Sequence, residues 1–407
     1  MSVLNLDSHK KVPADFSLFN LGFRPFFLGA GLFAIASMFV WFLLLQGQIS
    51  LPIQNLTVMQ WHTHEMIFGF TLAVATGFLL TAVKNWTGVD TPSGRPLAIL
   101  FLLWLAGRLG WFLPALLPGF TFEIQLTSAL FDLLFNLYFA IAFALPVFRA
   151  KQWNQGGLLA KIILMMGLNA LFYLGLFGWV EHGITWGNTG GFFVILALIL
   201  TMGRRVIPFF IEKGVREEVS LANPKWIDHS SLWLFLLFTL SEVFLDKAPI
   251  SALFAFALFV VGNVRLFNWY TPGIWKKPML WSLYLGLIFI QIGFLFYVIA
   301  AVNPLFHALA VHSLAIGGMG LITLAMMTRV TLGHTGRNVH RPPKYHTALL
   351  VLIVLATLSR VILPIIAPSE YALWIAAGQL LWIAAFVLFC WLFIPMLIKK
   401  RIDGHFG

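Results

Sequence analysis

Trp61-His62-Thr63-His64-Glu65 leads directly into an apolar stretch that runs to Ala82. Two imidazoles and a carboxylate thus open a segment long enough to cross a bilayer. Ionisable groups at membrane depth are costly, and where they occur they usually serve ion, proton, ligand or cofactor chemistry. Much later, His307-Ala308-Leu309-Ala310-Val311-His312 opens another such run. The two stretches read as halves of one metal or haem site.

Composition sets the frame for that reading. Of 407 residues, 60% are hydrophobic and 10% charged, and the mean hydropathy is +0.90. A soluble domain carries about 25% charged residues, so the chain reads as an all-α integral membrane protein. No polar block is long enough to fold alone. Residues 21–399 therefore read as one transmembrane domain, between a cytoplasmic N-terminal segment (1–20) and a cytoplasmic tail (400–407). Lys10 and Lys11 precede the first apolar run without a cleavage site, unlike a removed signal peptide. With Cys390 as the single cysteine, disulfides, thiolate zinc sites and iron–sulfur clusters are excluded. The net charge of +11 fits basic cytoplasmic loops; there is no soluble basic domain to hold nucleic acid.

Spans of roughly 20 residues fit twelve places: about 22–45, 58–83, 96–116, 121–148, 158–180, 187–211, 229–246, 249–269, 278–301, 304–329, 346–366 and 370–398. With the N-terminus inside, the cytoplasmic loops hold Lys84, Arg149, Arg204, Arg205, Lys225, Lys276, Arg337 and Arg341 among others. The opposite loops hold Lys247 alone. Positive charge marks the cytoplasmic side, so both termini are expected there, with Trp61–Glu65 and His307–His312 near the outer face.

The chain also compares with itself. Trp86-Thr87-Gly88 and His334-Thr335-Gly336 lie 248 residues apart, and so do His64 and His312. Slightly larger offsets take Arg108 onto Arg360, Pro114 onto Pro364, and Arg24-Pro25 onto Lys277-Pro278. Spans 1–4 and 9–12 thus form a candidate parallel internal repeat, an organisation also found in transporters.

Such a repeat would bring His64 and His312 to one axis, where two imidazoles are able to serve as axial haem ligands. Gly69, Gly77, Gly317, Gly318 and Gly320 lie deeper along the same helices and offer either room for a flat ring or close helix packing. His62 and His64 are about 200° apart on a helix, and His307 and His312 about 140°, so neither pair chelates one ion from a regular helix. Glu65 shares the face of His62, to orient it or to ligate directly. His62, His307, and Glu65 or Met66 form a donor set suited to copper, or else a set of structural hydrogen-bonding groups. Arg108 and Arg360 have two readings: partners of haem propionates, or of the intramembrane acids Asp132 and Glu242. No nucleotide-binding or hydrolase motif is present.

Five blocks carry a family resemblance. They are Leu21-Gly22-Phe23-Arg24-Pro25-Phe26-Phe27, Trp61-His62-Thr63-His64-Glu65-Met66, Gly203-Arg204-Arg205-Val206-Ile207-Pro208-Phe209-Phe210, His307–His312, and Arg329-Val330-Thr331-Leu332-Gly333-His334-Thr335-Gly336-Arg337. Together they resemble the NnrS family. The resemblance implies a twelve-span bacterial inner-membrane protein containing haem, expected as b-type, and copper. It also implies a role in nitric oxide metabolism: nitrosative stress resistance and denitrification. Carried over residue by residue, it gives His62, His64, His307 and His312 as candidate ligands, and Arg24, Arg205, Arg329 and His334 as motif positions without an assigned role. One departure stands out: Tyr284 occupies a place where many members carry histidine.

The expected partners are nitric oxide, membrane lipid and an unidentified electron donor, with no nucleic acid. Two other functions compete: a bis-histidine electron-transfer cytochrome, and a transporter.

Overall fold

A computed structural model describes residues 16–245 and 248–407. The chain is helical almost throughout. Its long helices are α1 (Phe23–Leu45), α2 (Val58–Thr87), α3 (Arg95–Leu109), α4 (Thr121–Arg149), α5 (Trp153–Leu176), α6 (Gly183–Gly214), α7 (Lys225–Leu245), α8 (Ala248–Trp269), α9 (Pro278–Ala300), α10 (Leu305–His334), α11 (His346–Ile366) and α12 (Pro368–Ile398). Eleven of these are long and apolar enough to cross a membrane, and α3, with 15 residues, is the exception. At 1.5 Å per residue it spans only about 22 Å. The expected third span, 96–116, therefore stops early. The α-helix ends at Leu109, and Leu113–Ala115 form a 3₁₀ turn around Pro114. The expected break at Asp246-Lys247 and most of the N-terminal segment 1–20 lie outside the described residues.

Local sequence accounts for several ends. Thr57 caps α2 by accepting from the Gln60 amide, while the Gln60 side chain accepts from the Thr57 amide, a reciprocal capping box. The Val302-Asn303-Pro304 turn is closed by Phe306 N–H donating to Asn303 O (3.0 Å). The chain packs into two compact units. One comprises Met1–Ile195, Met327–Pro343 and Phe386–Gly407, the other Leu196–Met326 and Lys344–Ala385.

In the first unit α1 lies on α2. A Cβ at Gly77 would sit 2.9 Å from the Phe26 side chain, and Phe23 N–H donates to Thr81 Oγ1 (3.1 Å). Trp104 of α3 donates to Gly69 O of α2 (2.9 Å), and the end of α12 reaches α1 at Gly31 through Phe389 and Cys390. In the second unit α9 and α10 meet closely: Gly286 abuts Ile322, Gly293 abuts Leu314, and Gly318 abuts Ile290.

Irregularities recur along the chain in a matched order. The first α-helical part of α2 ends at His64 and becomes π-helical over Glu65–Thr71. The first part of α10 ends at His312 and becomes π-helical over Ser313–Gly320. Both π segments start on the residue after the histidine, 248 positions apart. A 3₁₀ turn at Pro118–Phe120 leads into α4 at Thr121; one at Pro368–Glu370 leads into the helix starting at Tyr371, 250 positions later. Pro146 and Pro395 each lie inside the last part of these helices. Spans 2 and 10, and spans 4 and 12, thus share helix breaks at matching positions.

Candidate functional site

Glu65 is the first residue of the α2 π segment, and the helix between it and His62 is regular. Its carboxylate is drawn to Arg108 of α3, with Arg108 Nη1 donating to Oε1 at 2.5 Å. Arg108 Nη2 pairs with Asp132 Oδ1 of α4, also at 2.5 Å. All three are buried, at 1% exposure or less. The expectation that Glu65 supports or joins His62 is therefore corrected: a buried carboxylate goes to the guanidinium that neutralises it. His62 stacks on Trp41 of α1, with centroids 4.5 Å apart and planes 8° apart. As helical geometry requires, it points away from His64.

His64 is fully buried in the same cluster. Its Nδ1 lies 2.8 Å from Glu65 Oε1 and its Nε2 lies 2.9 Å from Asn169 Oδ1 of α5. Asn169 Nδ2 donates to Asp132 Oδ2 (3.0 Å), and the Tyr173 hydroxyl donates to the same oxygen (3.0 Å). These contacts fix the protons. Because the Asn169 amide nitrogen faces a carboxylate, its oxygen must face His64, so Nε2 carries a proton. The proton on the other side lies between Nδ1 and Glu65 Oε1. The cluster is therefore neutral overall. With the proton on Nδ1, two cations (Arg108, His64) balance two anions (Glu65, Asp132). With it on Oε1, Arg108 balances Asp132. The imidazole ring stacks on Phe172 (4.0 Å, 23°) and is flanked by Phe68, Trp111 and Tyr173. Aromatic faces favour a cation.

Asn169 and Tyr173 were not among the residues picked from the sequence. They are polar, one helical turn apart, and interrupt an otherwise apolar span. That i, i+4 spacing was the available signal.

The second unit is arranged differently. His312 Nδ1 donates to Ala308 O (2.7 Å). A carbonyl only accepts, so Nδ1 carries a proton. His307 lies at the edge of Tyr297 (5.3 Å), and its Nε2 is 3.5 Å from Glu242 Oε2. Arg360 stacks over Tyr371 (5.6 Å) and donates to its hydroxyl. Of the two expected ion pairs, Arg108–Asp132 forms, whereas Glu242 pairs with His307 instead of Arg360. Tyr284 donates to Leu266 O (2.8 Å), tying α9 to the end of α8 at the position where histidine was expected.

Of the remaining motif positions, Arg24 serves the fold. Arg24 is buried and donates to Leu397 O (2.7 Å), Lys399 O (2.9 Å), Met396 O (3.2 Å) and Gly407 O (2.6 Å). It thereby satisfies carbonyls at the end of α12, which have no intrahelical partner. In the tail beyond them, hydrogen bonds from Arg401 hold the Asp403 carboxyl down to about 2. His334 packs against Phe23 (5.7 Å), Arg329 is half-buried and Arg205 exposed. The five glycines beneath the histidines are packing positions. A Cβ at Gly69, Gly77, Gly317, Gly318 or Gly320 would come within 3 Å of a neighbouring side chain.

Apolar helices closing over a buried, neutral cluster of histidine, carboxylates and guanidinium define a multi-pass membrane protein with polar chemistry held inside its bundle. The chain belongs to the NnrS family: the family's sequence profile, NnrS protein, matches residues 17–401. That membership points to a membrane protein related to nitric oxide. Comparison with curated proteins finds no match.

Fit to haem or copper divides by residue. His312 fits, because a ligating imidazole usually donates its second N–H to a carbonyl or carboxylate. His64 does not fit, because its Nε2 is held as a donor to Asn169 and its Nδ1 is engaged with Glu65. Glu65 is likewise committed to Arg108. Among the described residues, no three His, Cys, Asp or Glu side chains converge to hold a metal ion.

Proposed function

We propose that this protein binds and detoxifies nitric oxide at a haem carried by His312. The observation behind this reading is the His312 tautomer, set by Ala308 O, in a chain that belongs to the NnrS family over residues 17–401. Haem held by one proximal histidine keeps an open position for a small ligand, and nitric oxide is uncharged and able to reach a buried site through the lipid. His62 and His307 are the remaining candidate copper ligands, copper being the metal that imidazole suits. The chain's own part is to fix the His312 ring, exclude water with apolar helices, and keep the charges around His64 neutral. The proposed setting is the bacterial inner membrane, with both termini cytoplasmic.

The test is spectroscopic. Purified protein is expected to show a Soret band that shifts with dithionite and again with nitric oxide, and His312→Ala is expected to lose it. Absence of a Soret band and of haem by pyridine haemochrome would sink the reading. The matched breaks of spans 2 and 10, and of spans 4 and 12, favour a transporter as second reading, since parallel repeats are frequent among transporters. Substrate flux that survives replacement of His312 would decide for it.

A further inference from the structure

The two repeats carry matching arginines in unmatched surroundings. Arg108 lies 13 residues after the start of α3 at Arg95, and Arg360 lies 14 after the start of α11 at His346. The extra residue falls in a π segment, Leu358–Ile362, which contains Arg360. In the first repeat the guanidinium meets two carboxylates of the chain, Glu65 and Asp132. Glu65 is the first residue of the α2 π segment; the first residue of the α10 π segment is Ser313, which donates to Phe289 O (2.7 Å). Asp132 lies 11 residues after Thr121; the residue 11 after Tyr371 is Trp382, which packs on Gly320. Both acids are thus replaced where the repeat carries its second arginine.

Arg360 keeps the charge without them. Among the described residues its partner is the uncharged Tyr371, and its Nη1 is buried without a hydrogen bond. The first part of α10, ending at His312, packs against the segment that holds Arg360. About two turns of α12 beyond Tyr371, Gly378 abuts Arg360, and the adjacent Gln379 is 6% exposed with both amide atoms unpartnered. Arg360 is half-buried, and a guanidinium nitrogen buried without a counter-charge or hydrogen bond is unfavourable; its planar fork suits oxyanions, carboxylate and phosphate above all.

We infer that Arg360 is the receiving site for an oxyanion supplied from outside the chain, taking the place that Glu65 and Asp132 fill against Arg108. The oxyanion has two sources: a carboxylate of a bound tetrapyrrole, or the phosphate of a membrane lipid. Only the first rests on the haem reading above.

The full-length protein and its Arg360→Gln and Arg360→Lys variants are purified in detergent. Haem is measured by pyridine haemochrome, and retained phospholipid by mass spectrometry of the extract. Arg360→Gln is expected to weaken retention of one of these about tenfold or more, as loss of a charged hydrogen-bonded pair does; Arg360→Lys is expected to keep part of it. Loss of haem alone identifies the tetrapyrrole carboxylate, and loss of phospholipid alone the lipid. If wild type holds no haem, the haem reading fails while the lipid arm still tests the site. Haem and lipid both unchanged in Arg360→Gln would overturn the inference. Should that variant not fold, a wild type carrying neither haem nor retained anionic lipid would overturn it too.

Discussion

His64 has oxygen acceptors on both ring nitrogens and aromatic faces around it, and this setting separates it from His312, its counterpart 248 positions on. Sequence placed the two at matching points of a repeat; the partners of each decide which is prepared to ligate. The buried cluster makes a direct prediction. Arg108→Met removes the guanidinium that pairs with Glu65 and Asp132, and breaking a buried pair in this way costs about 3–5 kcal/mol. The unfolding midpoint in detergent should fall accordingly. Asp132→Asn should also destabilise, but the double variant should lose less than the sum of the two single losses. Strict additivity would show that the groups do not act as one network. Arg108 and Asp132 were legible as intramembrane charges, and their pairing was one of two readings open from sequence. Asn169 and Tyr173 were missed because amides and phenols at membrane depth attract less attention than charges, although their spacing put them on one face.

At the level of helices, the breaks matter more than the helices themselves. The capping box of Thr57 and Gln60 and the turn at Pro304 follow from local residue chemistry. The π segments after His64 and His312 were not legible in the sequence: in a helix apolar on nearly every face, one inserted residue leaves no visible change of period. The glycines below these histidines show the same limit, since small residues serve a ligand cavity and close packing equally well. Tertiary contacts resolve the choice in favour of packing. Gly77→Ala places a Cβ 2.9 Å from Phe26, and Gly317→Ala places one 2.5 Å from Phe289. Overpacking of this kind costs about 1–3 kcal/mol. Both variants should unfold at lower temperature than wild type while keeping their helical circular dichroism. Unchanged midpoints would mean the helices have room to separate.

For the whole molecule, hydropathy and loop charge predict topology, and labelling tests it. In a Cys390→Ser background, single cysteines at Gln48 and Asn303 are expected to react with a membrane-impermeant maleimide in intact cells. Cysteines at Asn154 and Asn338 are expected to react only after permeabilisation. The reverse pattern would invert the orientation read from positive charge. Sequence by itself determined the class, because burying roughly 20 apolar residues per span leaves a polytopic helical bundle as the only sound use of such a chain. It offered a candidate repeat register too, through His64 and His312, and pointed to the family through contiguous motifs. The tertiary structure decided which ionisable groups neutralise one another. Glu65, Arg108, Asp132 and Asn169 come from four different helices, and together they form the hydrogen-bonded surroundings of His64. Pairing among buried charges is set by a few ångströms between helices, a distance that no spacing along one chain encodes.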